Sequence, residues 1–193
     1  MSESEIIQKL QQGDEHAFRS LVENYKKIVI NTCFGIVHHQ EDAEDIAQEV
    51  FIEVFRSVRN FRADAKLSTW LYRISVNRSL NFIRDNKNKK RIHSIDDLVQ
   101  NKHSGLLSLS ATRSDHPGLK FENSQRAEML HLAVDSLPDN QKVAFTLNKY
   151  EDLSYQEIAE VMAISLSSVE SLIHRAKKNL QKKLYDYYKK NCI

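Results

Sequence analysis

Three observations predict an all-α fold for this chain of 193 residues. Glycine and proline number only four and two, too few for a chain built on tight turns. Apolar residues recur at spacings of three and four along most of the length. The alternation of β-branched residues that marks strands is missing. With 41% apolar and 28% charged residues, the composition is that of a soluble globular protein large enough for one domain or two small ones.

A first helical unit is expected over residues 1–93. Its short opening helix ends at Gly13, which is free to take the left-handed turn that closes a helix. Asp14 then caps a second helix with the apolar stripe Phe18, Leu21, Val22, Tyr25, Ile28 and Val29. The N-terminal MSESEIIQKL is acidic and lacks the basic start and unbroken apolar core of a secretory signal. Ile28 to Val37, the longest nearly apolar stretch, is interrupted by Asn31, Thr32 and Gly35 and falls well short of the ~20 residues of a membrane span. Two cysteines, Cys33 in a predicted helix and Cys192 beside the C-terminus, make no disulfide framework and suit a reducing compartment. A cytoplasmic protein without membrane insertion is expected.

A formal net charge of only +2 conceals strong patterning. Glu41 to Glu53 holds six acids and no base. Residues 56–91 hold eleven Lys and Arg against Asp64 and Asp85, and residues 170–190 hold seven against Glu170 and Asp186. One acidic patch followed by two basic ones implies two kinds of partner.

In "EDAEDIAQEVFIEVF" a third helix buries Ala43, Ile46, Ala47, Val50 and Val54, which share one side at about 100° per residue. Beside them Asp42, Asp45, Glu49 and Glu53 line up at spacings where each like-charged neighbour costs an isolated helix roughly 0.2–0.5 kcal/mol. Helix stability alone therefore does not account for the stripe. Ile52 projects among these positions next to Gln48 and Asp45, and an apolar residue in an acidic face suits a basic partner with an apolar pocket. A solvated face is the plain alternative. Metal-assisted chemistry through the D-x-x-D of Asp42 and Asp45 is another, but such sites need carboxylates from a second helix and no second acidic cluster occurs.

The fourth helix is expected within "FRADAKLSTWLYRISVNRSLNFIRDNKNKKR", capped by Ser68 or Thr69. Lys66, Trp70, Arg73, Asn77, Asn81 and Arg84 share one side, with Leu67, Leu71, Ile74 and Phe82 beside them. Cations neutralise phosphates, Asn and Arg read base edges, and aromatic faces stack on unpaired bases at about 1–3 kcal/mol each. The row therefore has the chemistry of a nucleic-acid surface. The bland reading places Trp70 and Tyr72 in the core and leaves the cations to solvate the surface.

Periodicity lapses over residues 94–121, which hold two of the four glycines, one of the two prolines and many Ser, Asn and Asp; they read as a linker. Helices resume over residues 122–193. Ser154-Tyr155-Gln156-Glu157 is a capping box opening a helix with Ile158, Ala159, Val161 and Met162. A turn near Ala163-Ile164-Ser165 leads to a second helix buried through Val169, Leu172, Ile173, Ala176 and Leu180, a helix-turn-helix pattern. Its outer side, Ser167, Ser171, His174 and Lys178 flanked by Ser168, Glu170 and Arg175, is a candidate major-groove reader. A packed helical corner without DNA contact is the competing reading. None of the eight histidines has metal-ligand spacing, so no metal and no cofactor are expected.

Together "DAEDIAQEVFIEVF", "FRADAKLSTWLYRISVNRSLNFIRD", "SLPDNQKVAFTL" and "LSYQEIAEVMAISLSSVESLIHRAKKNL" resemble the bacterial RNA polymerase sigma factors of the sigma-70 family, specifically the two-domain extracytoplasmic-function (ECF) type. The resemblance implies a transcription initiation factor without catalytic activity of its own. Asp42, Asp45, Gln48, Glu49 and Ile52 would dock on the clamp coiled coil of the polymerase largest subunit. The loop Phe61 to Thr69, including Arg62, Lys66, Ser68 and Thr69, would capture an unpaired base of the minus-10 element. Trp70, Arg73, Asn77, Asn81 and Arg84 would hold the adjoining strand. Tyr155, Ser167, Ser168, Glu170, Ser171, His174, Arg175 and Lys178 would serve the minus-35 element, with the polymerase flap beneath that domain. An anti-sigma protein commonly holds such factors inactive.

Where similar sigma factors often carry Arg or Lys, this chain has Glu170 and Leu172. Glu170 either accepts from cytosine N4 or completes a capping box with Ser167. Two rivals stand beside the sigma assignment: a stand-alone dimeric helix-turn-helix regulator, and a metal-dependent helical enzyme using Asp42 and Asp45.

Overall fold

The computed structural model describes residues 3–61, 65–93 and 129–191. They form α1 (Glu3–Gln11), α2 (Glu15–Val37), α3 (Gln40–Ser57), a 3-10 turn (Val58–Asn60), α4 (Leu67–His93), α5 (helical over 129–135), α6 (Asp139–Lys149), α7 (Tyr155–Met162) and α8 (Leu166–Asn191). No strand occurs among the described residues, in keeping with the all-α prediction. The predicted linker lies outside them.

Local chemistry sets the helix ends as expected in the first unit. Gly13 takes φ +81° and closes α1. The Asp14 carboxylate caps α2, accepting from His16 N (2.8 Å) and Ala17 N (3.1 Å). His38 stops α2 in the left-handed conformation, φ 56°, and His39 caps α3, its Nδ1 accepting from Asp42 N at 3.4 Å. The core of this unit joins Leu21, Val29 and Cys33 of α2 to Ala43, Ile46, Ala47, Val50 and Val54 of α3 and to Leu67 and Leu71 of α4. Burial pushes the Cys33 thiol up to about 11, so it stays an inert core group.

The two halves are more than tethered. Ile36 of α2 and Tyr72 and Val76 of α4 share one buried cluster with Val143, Ala144 and Leu147 of α6, Ile158 and Val161 of α7, and Val169 and Ile173 of α8. α2 lies on α6 and α4 on α7. The Thr146 hydroxyl donates to the Gly35 carbonyl at 2.9 Å, an approach that Gly35 permits because a Cβ there would sit 2.6 Å from Thr146 Cγ2. His38 Nδ1 meets Asp135 at 2.8 Å and stacks on His131 at 4.7 Å, while Lys142 Nζ donates to the same Asp135 oxygen at 2.7 Å. Burial raises the Asp135 carboxyl, but hydrogen bonds from His38 and Lys142 outweigh it and hold it below the usual range. Burial, with His38 close by, lowers the His131 imidazole.

Fully burying an aliphatic side chain is worth roughly 1.5–3 kcal/mol, against about 0.5–1.5 kcal/mol for a hydrogen bond. The apolar seam thus holds the halves together and the polar pairs fix their register. No helix among the described residues is long and apolar enough to cross a membrane.

Candidate functional site

Three chemically distinct surfaces emerge. On α3, Asp45, Gln48 and Glu49 are exposed, Asp42 is partly so beside its capping His39, and Ile52 is 50% exposed in their midst. Phe55, one turn beyond, is 55% exposed and meets Phe18 edge-on at 5.1 Å. Phe55 is not singled out from sequence, although its spacing three positions after Ile52 places the two side by side. The stripe is not left to itself, as its spacing suggests: Arg78 of α4 reaches Glu53 at 2.6 Å and Glu49 at 3.6 Å. This partner lies on another helix, so helical spacing within α3 cannot reveal it.

On α4, neither Ser68 nor Thr69 is the cap. The helix starts earlier, at Leu67, and the Leu67 N–H donates to Glu3 Oε1 of α1 at 2.5 Å. A carboxylate from sixty-four positions away thus occupies the place a local cap would take. Ser68 is half-buried and Thr69 buried, so neither presents a full surface here. Lys66, Asn77, Asn81 and Arg84 are exposed. Trp70 is half-buried with its ring stacked on Phe61, centroids 4.6 Å apart and planes 27° from parallel. Both readings of Trp70, core and stacking surface, are therefore partly realised. Tyr72 is core. Arg73 leaves the row: its Nε (3.0 Å) and Nη2 (2.6 Å) donate to the Glu160 carbonyl in α7. Arg62 lies outside the described residues.

The helix-turn-helix follows the pattern read from its sequence. The Ser154/Glu157 capping box is complete, Ala163 turns through φ 53°, and Ile164 N donates to Ala159 O at 3.1 Å. Hydrogen bonds from Ser154 hold the Glu157 carboxyl below its usual range. α8 buries Val169, Ile173, Ala176 and Leu180, with Leu172 half-buried. The Ser167–Glu170 box does not form. Ser165 does the capping, accepting from Ser168 N at 3.2 Å, with the Ser167 and Ser168 hydroxyls at 3.1 and 2.8 Å. Glu170 is left on an open face with Ser167, Ser168, Ser171, His174, Arg175 and Lys178. Tyr155 is half-buried against the cluster shared by the two halves.

No group of three or more His, Cys, Asp or Glu that could hold a metal occurs among the described residues. The arrangement offers adhesive faces: one acidic with an apolar centre, two basic or amide-rich, on separate helices.

Residues 21–89 match the family model for Sigma-70 region 2, and residues 127–180 that for Sigma-70, region 4. The RNA polymerase sigma-H factor of Pseudomonas aeruginosa is 31% identical over 94% of this chain and 93% of its own. The ECF RNA polymerase sigma factor SigW of Bacillus subtilis is 31% identical over 93% and 95%. Among solved structures, CnrH in complex with the cytosolic domain of CnrY aligns with a TM-score of 0.67 at 18% identity, covering 95% of this chain and 97% of CnrH. The sigma factor RpoE of Bartonella quintana, in complex with the anti-sigma factor NepR, aligns with a TM-score of 0.64 at 18% identity, covering 87% and 96%. These structural likenesses concern the fold.

Proposed function

The chain belongs to the ECF sigma factors of the sigma-70 family, and from that premise we propose how its surfaces divide the work of a promoter-directing RNA polymerase initiation factor. The acidic face of α3, Asp42, Asp45, Gln48 and Glu49 around Ile52, docks on the basic clamp coiled coil of the polymerase largest subunit. The open side of α4, Lys66, Trp70, Asn77, Asn81 and Arg84, takes the minus-10 strand, joined by Arg73 once it is free. The open face of α8 reads the minus-35 element in the major groove, its domain resting on the polymerase flap.

The observation that carries this division is Ile52, half exposed at the centre of an acidic helix face whose chemistry is opposite to that of the α4 and α8 surfaces. A DNA-binding module alone has no use for it. The packing of the halves adds a step. Promoter elements about 17 base pairs apart lie roughly 58 Å apart at ~3.4 Å per pair. Arg73 cannot serve a strand while it serves Glu160. Docking therefore separates the halves, and two weak DNA contacts become one strong one.

Melting follows from trapping bases that have already left the stack, which shifts the duplex toward the open state. The chain supplies binding and the polymerase supplies chemistry, in the cytoplasm where the polymerase works. An anti-sigma protein is the third expected partner.

The test is a titration of the purified chain against sigma-free core polymerase, followed by transcription from genomic fragments. Binding with new, discrete start sites supports the proposal. A folded chain that ignores polymerase and binds two-fold DNA sites as a dimer would move the assignment to a stand-alone regulator.

A further inference from the structure

Arg78 of α4 stands where two of the proposed surfaces meet. Its Nη2 donates to Glu53 Oε2 of α3 at 2.6 Å, and its Nη1 lies 3.6 Å from Glu49 Oε2. Ile74 and Phe82, about one turn to either side, are half-buried against the core of the first unit and seat that side of α4 on it. Asn81, three positions on, lies only about 60° around the helix from Arg78 at about 100° per residue, and it is exposed. A guanidinium on its long stem can therefore serve either the acidic face of α3 or the amide-rich side of α4.

The pair has the character of one that can be exchanged. The side chains of Arg78, Glu53 and Glu49 are 36%, 39% and 62% exposed, and ion pairs this open to water are weak. α3 and α4 already share one buried cluster through Val50, Val54, Leu67 and Leu71, so apolar burial carries their union. In the free chain Arg78 thus screens part of the acidic stripe that a basic partner needs, and its own charge is withheld from phosphate.

We propose that Arg78 couples polymerase docking to strand binding: it occupies Glu49 and Glu53 in the free chain, yields them to the cationic partner that docks on α3, and turns to a backbone phosphate of the strand lying along Asn77 and Asn81. A second cation brought to the same two carboxylates repels the first, and a phosphate offers the guanidinium a bidentate acceptor in exchange. Because coupling is reciprocal, strand binding in turn clears the acidic face for polymerase.

This inference rests on the docking and strand-binding roles proposed above, and the experiment distinguishes its failure from theirs. The full chain is titrated against sigma-free core polymerase without DNA. The complex is then titrated, over a range of salt, with single-stranded DNA spanning a mapped minus-10 region. Arg78→Ala should bind polymerase about two- to fivefold more tightly than the wild type, the gain from removing an exposed competing ion pair. Its complex should bind the strand more weakly, and the slope of log affinity against log salt should be shallower by about 0.7, the contribution of one phosphate on a single strand. Arg78→Lys keeps a cation there and should restore the slope. A damaged fold weakens both bindings, so opposite shifts mark a coupling residue, and a thermal melt of each variant checks the fold.

Tighter polymerase binding with unchanged strand affinity and slope overturns the proposal and makes Arg78 a competitor alone. Polymerase binding that is weaker or unchanged also overturns it and makes Arg78 a tie between two helices. In both cases the initiation factor stands. A wild-type chain that binds no polymerase, or a wild-type complex that binds no strand, overturns the role of α3 or of α4 and this inference with it.

Discussion

The Tyr72 hydroxyl of α4 donates to Glu151 Oε2, in the loop after α6, across 3.2 Å, joining the two halves of the chain. The other carboxylate oxygen, Glu151 Oε1, is buried without a hydrogen-bond partner among the described residues. Burial raises the Glu151 carboxyl to about 7; the bond from Tyr72 offsets part of this and Asp152 adds to it. Burial and the nearby Glu151 also push the Tyr72 phenol upward.

A carboxyl whose pKa is raised on folding gives stability that is full below its ordinary value near 4.5 and is lost as pH rises through about 7. Glu151→Gln keeps the acceptor for Tyr72 and cannot ionise. The variant's thermal midpoint should match the wild type near pH 4.5, gain on it as pH rises, and keep a constant lead above about 7. The shifted His131 and Asp135 of the same interface are present in both proteins and cancel in the difference. Parallel midpoint curves would sink the assignment.

Gly35→Ala should pry the halves apart. The new methyl would meet the buried, β-branched Thr146 at 2.6 Å. Overpacking of this kind costs about 1–3 kcal/mol, more than the ~1 kcal/mol that alanine adds to a helix. Small-angle scattering should record a larger radius of gyration, with helicity by circular dichroism intact. An unchanged radius would show that α2 and α6 can give way without parting.

Reversing charge at Asp45 and Glu49, both to Lys, should weaken binding to core polymerase by at least about tenfold, because like charges across an interface cost several kcal/mol. The fold should survive at two exposed positions, although Glu49→Lys brings a cation to Arg78, which sits 3.6 Å from Glu49. Unchanged affinity in a direct titration would remove α3 from the polymerase contact.

Asn77→Ala with Asn81→Ala should impair strand opening more than polymerase binding. Both amides are exposed on the open side of α4, outside the buried clusters that hold the fold. Permanganate reactivity of promoter thymines should fall, while polymerase affinity stays within about twofold, as for surface changes outside an interface. Normal reactivity would refute the role given to these residues.

The elements whose causes are local are legible in the sequence. Gly13, the Asp14 cap, the Ser154/Glu157 box, the turn at Ala163 and the buried faces of α3 and α8 each depend on neighbours within about a turn or two, and two of the four family motifs lie on α3 and on α7 and α8. The expected cap at Ser68 or Thr69 fails because Glu3, sixty-four positions away, reaches Leu67 first. The Ser167–Glu170 box fails because Ser165 already holds the start of α8.

The sequence by itself determined the all-helical class, the charge pattern along the chain and, through its motifs, membership of the sigma-70 family. Only the tertiary structure decided that Arg73 is engaged by Glu160, that Arg78 neutralises part of the acidic stripe, and that Gly35 admits Thr146. The physical reason is range. Helical periodicity and capping act over one or two turns, whereas these contacts join residues 25 to 111 positions apart, and they exist only once apolar burial has brought the helices together.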